Sequence, residues 1–273
     1  MSEEVRPSIL AGTWYPKKPE QIQHVIQTFF QKVDSPPVPG PVLGLICPHA
    51  GYIYSGQTAA YGYHQLKNQS FDVVVILSPM HHYGPGDYVI NGDIAYETPL
   101  GEVPVQRDLL NKLIERVKIE TIFFDQEHAI EIQLPFLQSV LDSFSIIPIM
   151  VGHNRVDQVE EMVSGLVDIL DGSHPLLIAS TDLHHMNQYE AVKAADARVA
   201  ETLISFDLSA IRAVLSEPDC SVCGRVPVSI ILDVARRLGA HSIQILHQTT
   251  SADVVGNYIP GQYNVGYLSA AIY

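Results

Sequence analysis

The chain carries 12 histidines among 273 residues, and they are unevenly placed. Three groups stand directly after apolar runs that read as buried strands. His49 follows VLGLIC, in PHAGYIYSG (48–56). His81 and His82 follow DVVVILS, in SPMHH (78–82). Asp182, His184 and His185 follow PLLIAST, in STDLHH (180–185). A single histidine is more often a surface or satisfied core residue than a functional one. Repetition at three strand ends is a different matter, because open parallel sheets place their ligand sites beyond the carboxyl ends of the strands. Imidazoles gathered on one sheet edge can bind a first-row transition metal or move protons.

Two further clusters can join them. EHAIEIQLP (127–135) holds Glu127, His128 and Glu131. His128 and Glu131 share a helix face if a helix begins there. Glu131, set between Ile130 and Ile132, reads either as a solvated helix residue or as an inward carboxylate that needs a partner. DCSVCGRVP (219–227) holds Cys220 and Cys223 as a lone C-x-x-C. A zinc site of its own would need a second such pair, and a thioredoxin-like motif would sit after a first strand. Cys223 alone, joining histidines from elsewhere, would make a mixed nitrogen/sulfur site. The other reading is two buried cysteines at a helix start. Tyr52 and Tyr54 stand as cleft walls or as packing. There is no G-x-S-x-G, Walker loop or G-x-G-x-x-G.

The elements that must position these groups alternate in type. Helical spacing covers 19–32, with Ile22, Val25, Ile26, Phe29 and Phe30 on one face. Strand 42–47 precedes a helix over 55–66 with Ser55 as its cap. The β-branched run 72–78 is the clearest strand, continuous as in a doubly covered sheet. A short strand near 88–90 and a helix near 106–117 follow. Residues 129–141 have helical spacing that Pro135 kinks or divides. Then come strand 145–152, helix 156–170, strand 175–181, helices near 190–205, 208–215 and 225–238, and strands 242–249 and 264–273. The alternation predicts one α/β domain over 1–273, with a mostly parallel, mixed central sheet flanked by helices.

At 47% apolar the chain can bury a large core, and no linker divides its middle. The Pro-rich SPPVPGP (35–41) joins the first helix to the first strand. A net charge of −14 argues against nucleic acid and against an anionic membrane surface as partners. The N-terminal MSEEVRPSIL has no apolar signal core, and no run approaches the roughly 18 apolar residues of a span. Three cysteines give no disulfide framework, and a cytoplasmic location is expected.

The ordered pieces AGTWYP (11–16), PHAGYIYSG (48–56), SPMHH (78–82), YETPLGEVPV (96–105), EHAIEIQLPFL (127–137), STDLHH (180–185) and CGRVP (223–227) resemble the Memo family over nearly the whole chain. That resemblance implies a fold like the class III extradiol dioxygenases, in which two histidines and a carboxylate hold Fe(II). In the Memo pattern a cysteine takes the carboxylate's part. Carried over, the implied metal ligands are His49, His81 and Cys223. His185, with Asp182, takes the acid–base position. His82, His128, Glu131, Tyr54 and His184 belong to the cleft or its surroundings. A thiolate is softer and more easily oxidised than a carboxylate, so iron or copper is expected, with zinc as a further choice, and ring cleavage is not. His184 and Cys220 depart from the pattern and offer competing donors. The resemblance also implies a pathway shared with a radical SAM enzyme and an AMMECR-type protein. The expected function is a metal-dependent oxidoreductase of undefined substrate. The alternatives are a non-catalytic protein that binds a small molecule, peptide or partner in the same cleft, and a copper or iron carrier.

Overall fold

The computed structural model describes residues 4–82, 84–152, 156–256 and 259–273. Strand β1 (Val5–Arg6) and helix α1 (Pro19–Phe30) come first. Strand β2 (Gly44–Cys47) leads into α2 (Tyr52–His64), then β3 (Val73–Pro79) and β4 (Tyr88–Asn91). A hairpin of β5 (Ala95–Thr98) and β6 (Gly101–Pro104) precedes α3 (Arg107–Ile114) and β7 (Glu120–Ile122). A 3-10 turn at Glu131–Gln133 enters α4 (Leu134–Val140), followed by β8 (Ile146–Val151), α5 (Glu160–Leu170) and β9 (Pro175–Ser180). The remainder is β10 (His185–Met186), α6 (Tyr189–Ser205), α7 (Leu208–Leu215), α8 (Arg225–Arg237), β11 (Ile243–Thr250), α9 (Ser251–Val255) and β12 (Asn264–Ile272).

Among the described residues the main sheet has nine strands in the order β10-β12-β2-β9-β3-β8-β4-β7, with β11 paired to β12. Its centre, β2-β9-β3-β8, is parallel; β4 and β12 run antiparallel to their neighbours in that core. The sheet is therefore mixed α/β, as the alternation of elements predicts. Register decides where the chemistry falls. Cys47 pairs with Ser180, and Leu77 with Ala179, so β2, β9 and β3 end nearly flush. Residues 48–49, 181–184 and 80–82 leave the sheet along one edge.

Every residue of β2, β3, β8 and β9 is buried, which accounts for their uninterrupted apolar runs. Helix α2 packs on β2, β11 and β12 and is backed by α1 and α4; α8 packs on β9, β3 and β2 and is backed by α5 and α7. Gly62 allows α2 to lie close: a Cβ there would stand 2.6 Å from Ser269 Oγ and 2.9 Å from Cys47 Sγ. Among the described residues no helix is long and apolar enough to cross a membrane.

Two sequence expectations need correction, the starts of α2 and α5, and one open alternative, at Pro135, is resolved. Helix α2 begins at Tyr52, with Gly51 rather than Ser55 at its cap position. The Tyr52 N–H donates to Trp14 O at 2.9 Å, so a distant loop satisfies the first turn, and Ser55 Oγ donates back to Ala50 O. Pro135 divides the 129–141 segment instead of bending one helix, because it sits in the first turn of α4, where its missing N–H costs nothing. Helix α5 starts at Glu160, later than the periodicity suggests.

The short β1 carries a buried constraint. Arg6 Nε and Nη2 donate to Asp125 at 2.9 Å, and Nη1 donates to Glu131 at 2.7 Å. Nη2 also donates to Glu127 O at 2.8 Å. Removing one partner from such a cluster leaves uncompensated buried charge. Arg6→Leu is therefore expected to lower stability by about 3–5 kcal/mol, read as a fall in the urea midpoint. A loss below about 1 kcal/mol would show that the carboxylates find other partners.

Candidate metal centre

His49 is placed by the end of β2 and is buried. Its backbone N–H donates to Asp182 Oδ1 at 2.8 Å, and its ring Nδ1 lies 3.0 Å from Ser180 Oγ. The hydrogen-bond network around Ser180 assigns the tautomer. Ser180 Oγ donates to Ala129 O at 2.7 Å and accepts from Gln133 Nε2 at 2.8 Å. Gln133 is oriented in turn by the Tyr63 hydroxyl, which donates to its Oε1 at 2.7 Å. With its own proton committed, Ser180 Oγ accepts from His49 Nδ1–H. The lone pair on His49 Nε2 then faces Cys223 Sγ, 3.2 Å away. Burial lowers the His49 pKa to about 3, so the ring is neutral and able to act as a ligand near neutral pH.

His81 follows β3. Its Nδ1 donates to Glu127 Oε1 at 2.9 Å, and its backbone N–H donates to Glu127 Oε2 at 2.6 Å. Glu127 Oε1 also accepts the N–H groups of His128 and Ala129 at 2.9 and 3.0 Å. Burial alone would raise this carboxyl, but its hydrogen bond with His81 prevails and holds it near 2. Glu127 thus fixes the ring of His81 by its Nδ1 and leaves Nε2 free. Oxygen partners on the non-ligating nitrogen are the usual way proteins orient metal-binding imidazoles.

Cys223 comes from the turn before α8. The Gly224 N–H donates to Thr181 Oγ1 at 2.9 Å, and a Cβ on Gly224 would stand 2.4 Å from Thr181 Cβ. Only glycine lets this turn approach the end of β9 so closely. Burial and then Asp182 push the Cys223 thiol well above its ordinary range, while the Asp182 N–H donates to Sγ at 3.2 Å. Sγ has two acceptors within reach, His49 Nε2 at 3.2 Å and Asp182 O at 3.5 Å, and a metal ion bound here would replace the thiol proton.

The donor atoms of His49, His81 and Cys223 lie within 4.8 Å of one another. That spacing suits bonds of about 2.0–2.3 Å to one shared ion after small side-chain adjustments. His81, Glu127 and His128 meet the same distance test. The Glu127 carboxylate, however, is already committed to four N–H donors, so this second trio acts as support for the first. The His49, His81 and His128 rings nest at centroid distances of 5.0, 5.4 and 4.4 Å.

His49 and His81 border a cleft of about 390 Å³, lined by residues that include Trp14, Ile53, Tyr54, His128, Asp182 and His185. Asp182, buried, is pushed up to about 6. His185 lowers its affinity for a proton through burial, and its Nδ1 lies 3.1 Å from the Tyr263 hydroxyl. Tyr54 lines the cleft, whereas Tyr52 is packing: its hydroxyl donates to Ile132 O at 3.1 Å, and its ring lies against Phe136. His82 is exposed and does not line the cleft.

His184 turns away from the cleft. Its Nδ1 pairs with buried Asp196 at 2.8 Å. Burial opposes its proton, but the Asp196 hydrogen bond wins and raises its pKa to about 9. Cys220 sits beside this same imidazole, which lowers its thiol pKa against the effect of burial, and it is not among the converging donors. Glu131 also lies outside the cleft. It accepts from Arg6, Ser8, Tyr15 and the N–H groups of Ile9 and Leu10 at 2.7–3.1 Å. It thereby anchors the loop that sets Trp14 against His128, at 4.4 Å between ring centroids. Sequence reasoning assigned no site role to Trp14, Ser180 or Gln133. The apolar run preceding Ser180 marks its strand end, but not its partner.

The family model for Memo-like proteins matches residues 6–271. The chain belongs to the Memo family. A MEMO1 family protein of Thermotoga neapolitana is 33% identical, covering 98% of this chain and 99% of its own length. Others from Thermotoga maritima and Methanosarcina mazei are 34% and 33% identical, covering 98% and 93% of this chain and 99% and 95% of their own lengths. A solved structure of an uncharacterized Escherichia coli K12 protein shares the fold, with a TM-score of 0.58 and 14% identity, covering 85% of this chain and 100% of that one.

For this Memo-family chain the Ser180 bond is testable. Ser180→Ala frees the His49 ring to flip or change tautomer. Loss of an orienting partner typically costs 10–100-fold in metal affinity. Competition titration with a chelator is expected to show that loss, with an unchanged circular dichroism spectrum. Affinity within twofold of wild type would show that Ser180 does not set the ring.

Proposed function

We propose that this protein is a metal-dependent redox enzyme whose ion is held by His49, His81 and Cys223. The observation that carries the reading is the convergence of these three donors from two strand ends and the turn before α8, with the Nδ1 atom of both imidazoles already held by an oxygen. Two imidazoles and a thiol suit copper, iron or zinc better than a hard cation. Bound there, iron or copper would supply one-electron redox chemistry and zinc would supply Lewis acidity.

The surrounding residues have work of their own. Asp182, with a pKa near 6, can hold or release a proton at the cleft floor close to neutral pH. His185, on the cleft wall, can exchange a proton with a bound molecule through Nε2. Trp14 and Ile53 narrow the approach and reduce the water around the floor. The sulfur ligand takes the place of a carboxylate in the related dioxygenase pattern, so ring cleavage is not part of this reading.

The test is elemental analysis of protein purified without oxygen. Wild type is expected to carry close to one equivalent of iron or copper. His49→Ala, His81→Ala and Cys223→Ser are each expected to lose it while remaining folded. Full occupancy in these variants would overturn the ligand set. A wild type that holds no metal and cannot be reconstituted would favour a binding protein that keeps the cleft.

A further inference from the structure

The metal donors explain the floor of the cleft but not its walls. Ile53 is 76% exposed and Tyr54 is 41% exposed on the first turn of α2, and both line the opening with Trp14. This is an apolar rim facing solvent. None of the described lining residues is Lys or Arg, and the carboxylate of Asp182 is the one acidic group among them. The whole chain carries a charge of −14. A phosphate or carboxylate entering here would lose water without gaining a fixed cationic partner from the walls.

A second observation is independent of the apolar rim. His185 Nε2 is buried and, among the described residues, has no hydrogen-bond partner, although the other ring nitrogen is held by Tyr263. His185 lines the cleft but does not belong to either group of converging metal donors. Buried polar atoms in native proteins are nearly always satisfied, so an orphan on a cleft wall marks the place of a ligand atom. The Tyr263 hydroxyl can give or take the proton on Nδ1. The complementary role therefore falls to Nε2, and a hydroxyl group satisfies it either way.

This inference rests on the cleft assigned above, though not on the ion. We infer that the cleft takes an uncharged small molecule with an apolar body against Trp14, Ile53 and Tyr54 and one hydroxyl group hydrogen-bonded to His185 Nε2. Its volume of about 390 Å³ lies at the small end of ligand sites.

Trp14 is the one tryptophan in the chain, so its fluorescence reports on this cleft directly. The full chain, freed of metal by chelation, is titrated with 4-methylbenzyl alcohol, 4-methylbenzoate and 4-methylbenzyl phosphate. The alcohol is expected to change Trp14 emission saturably and to bind at least tenfold more tightly than either anion. His185→Leu is expected to weaken the alcohol about tenfold, and His185→Gln, which keeps a polar atom, to recover part of that loss. Equal or tighter binding of either anion would overturn the proposal. So would the absence of saturable binding by the alcohol, or its unchanged affinity in His185→Leu. Metal content measured before chelation keeps the two readings apart. Stoichiometric metal with failed alcohol binding removes only the ligand class, and alcohol binding by a protein that never takes up metal removes only the redox reading.

Discussion

The hydrogen bond between His49 Nδ1 and Ser180 Oγ joins the ends of two adjacent parallel strands and determines what the cleft can do. It works because Ser180 has already given its proton to Ala129 O and taken one from Gln133. A serine with a free hydroxyl would let the imidazole adopt either tautomer. Here the chain of Tyr63, Gln133 and Ser180 leaves one outcome, with Nε2 directed at Cys223. All of these groups are buried, where an unsatisfied polar atom is expensive, so the network holds as a unit.

The rest of the molecule supports that unit in tiers. Glu127 does for His81 what Ser180 does for His49, and its backbone is held by Arg6 from the other end of the chain. Arg6 also binds Glu131, and Glu131 gathers the N-terminal loop that carries Trp14. Two strand residues, β1, thus link the ion-pair cluster, the orienting carboxylate and the cleft wall. The apolar core supplies the rigidity, and the buried charges supply the register between segments more than a hundred residues apart.

Much of this was legible in the sequence. The apolar runs 42–47, 72–78 and 175–181 mark strands, and the histidines beyond them mark the edge where ligands gather. Period and composition could not separate His184 from His185. The two are neighbours in extended chain, so their side chains point to opposite sides, and only the partners decide which side is the cleft. Asp196 claims one, and Tyr263 stands beside the other. For Glu131 an inward carboxylate was one of two readings, and its partner Arg6 could not be named, because pairing across 125 residues leaves no local signal. The hairpin 95–104 escaped the reading for a different reason: its strands are four residues each, too short for alternation to register. Trp14 reaches the cleft through a loop, where no periodicity applies.

The central claim is that two imidazoles and the Cys223 thiolate share one ion. X-ray absorption spectroscopy of the metal-loaded protein tests it most directly. One sulfur near 2.3 Å and two imidazole nitrogens near 2.0–2.1 Å are the expected first shell, with the sulfur lost in Cys223→Ser and retained in Cys220→Ser. A shell of nitrogen and oxygen alone, or one with two sulfurs, would contradict the account.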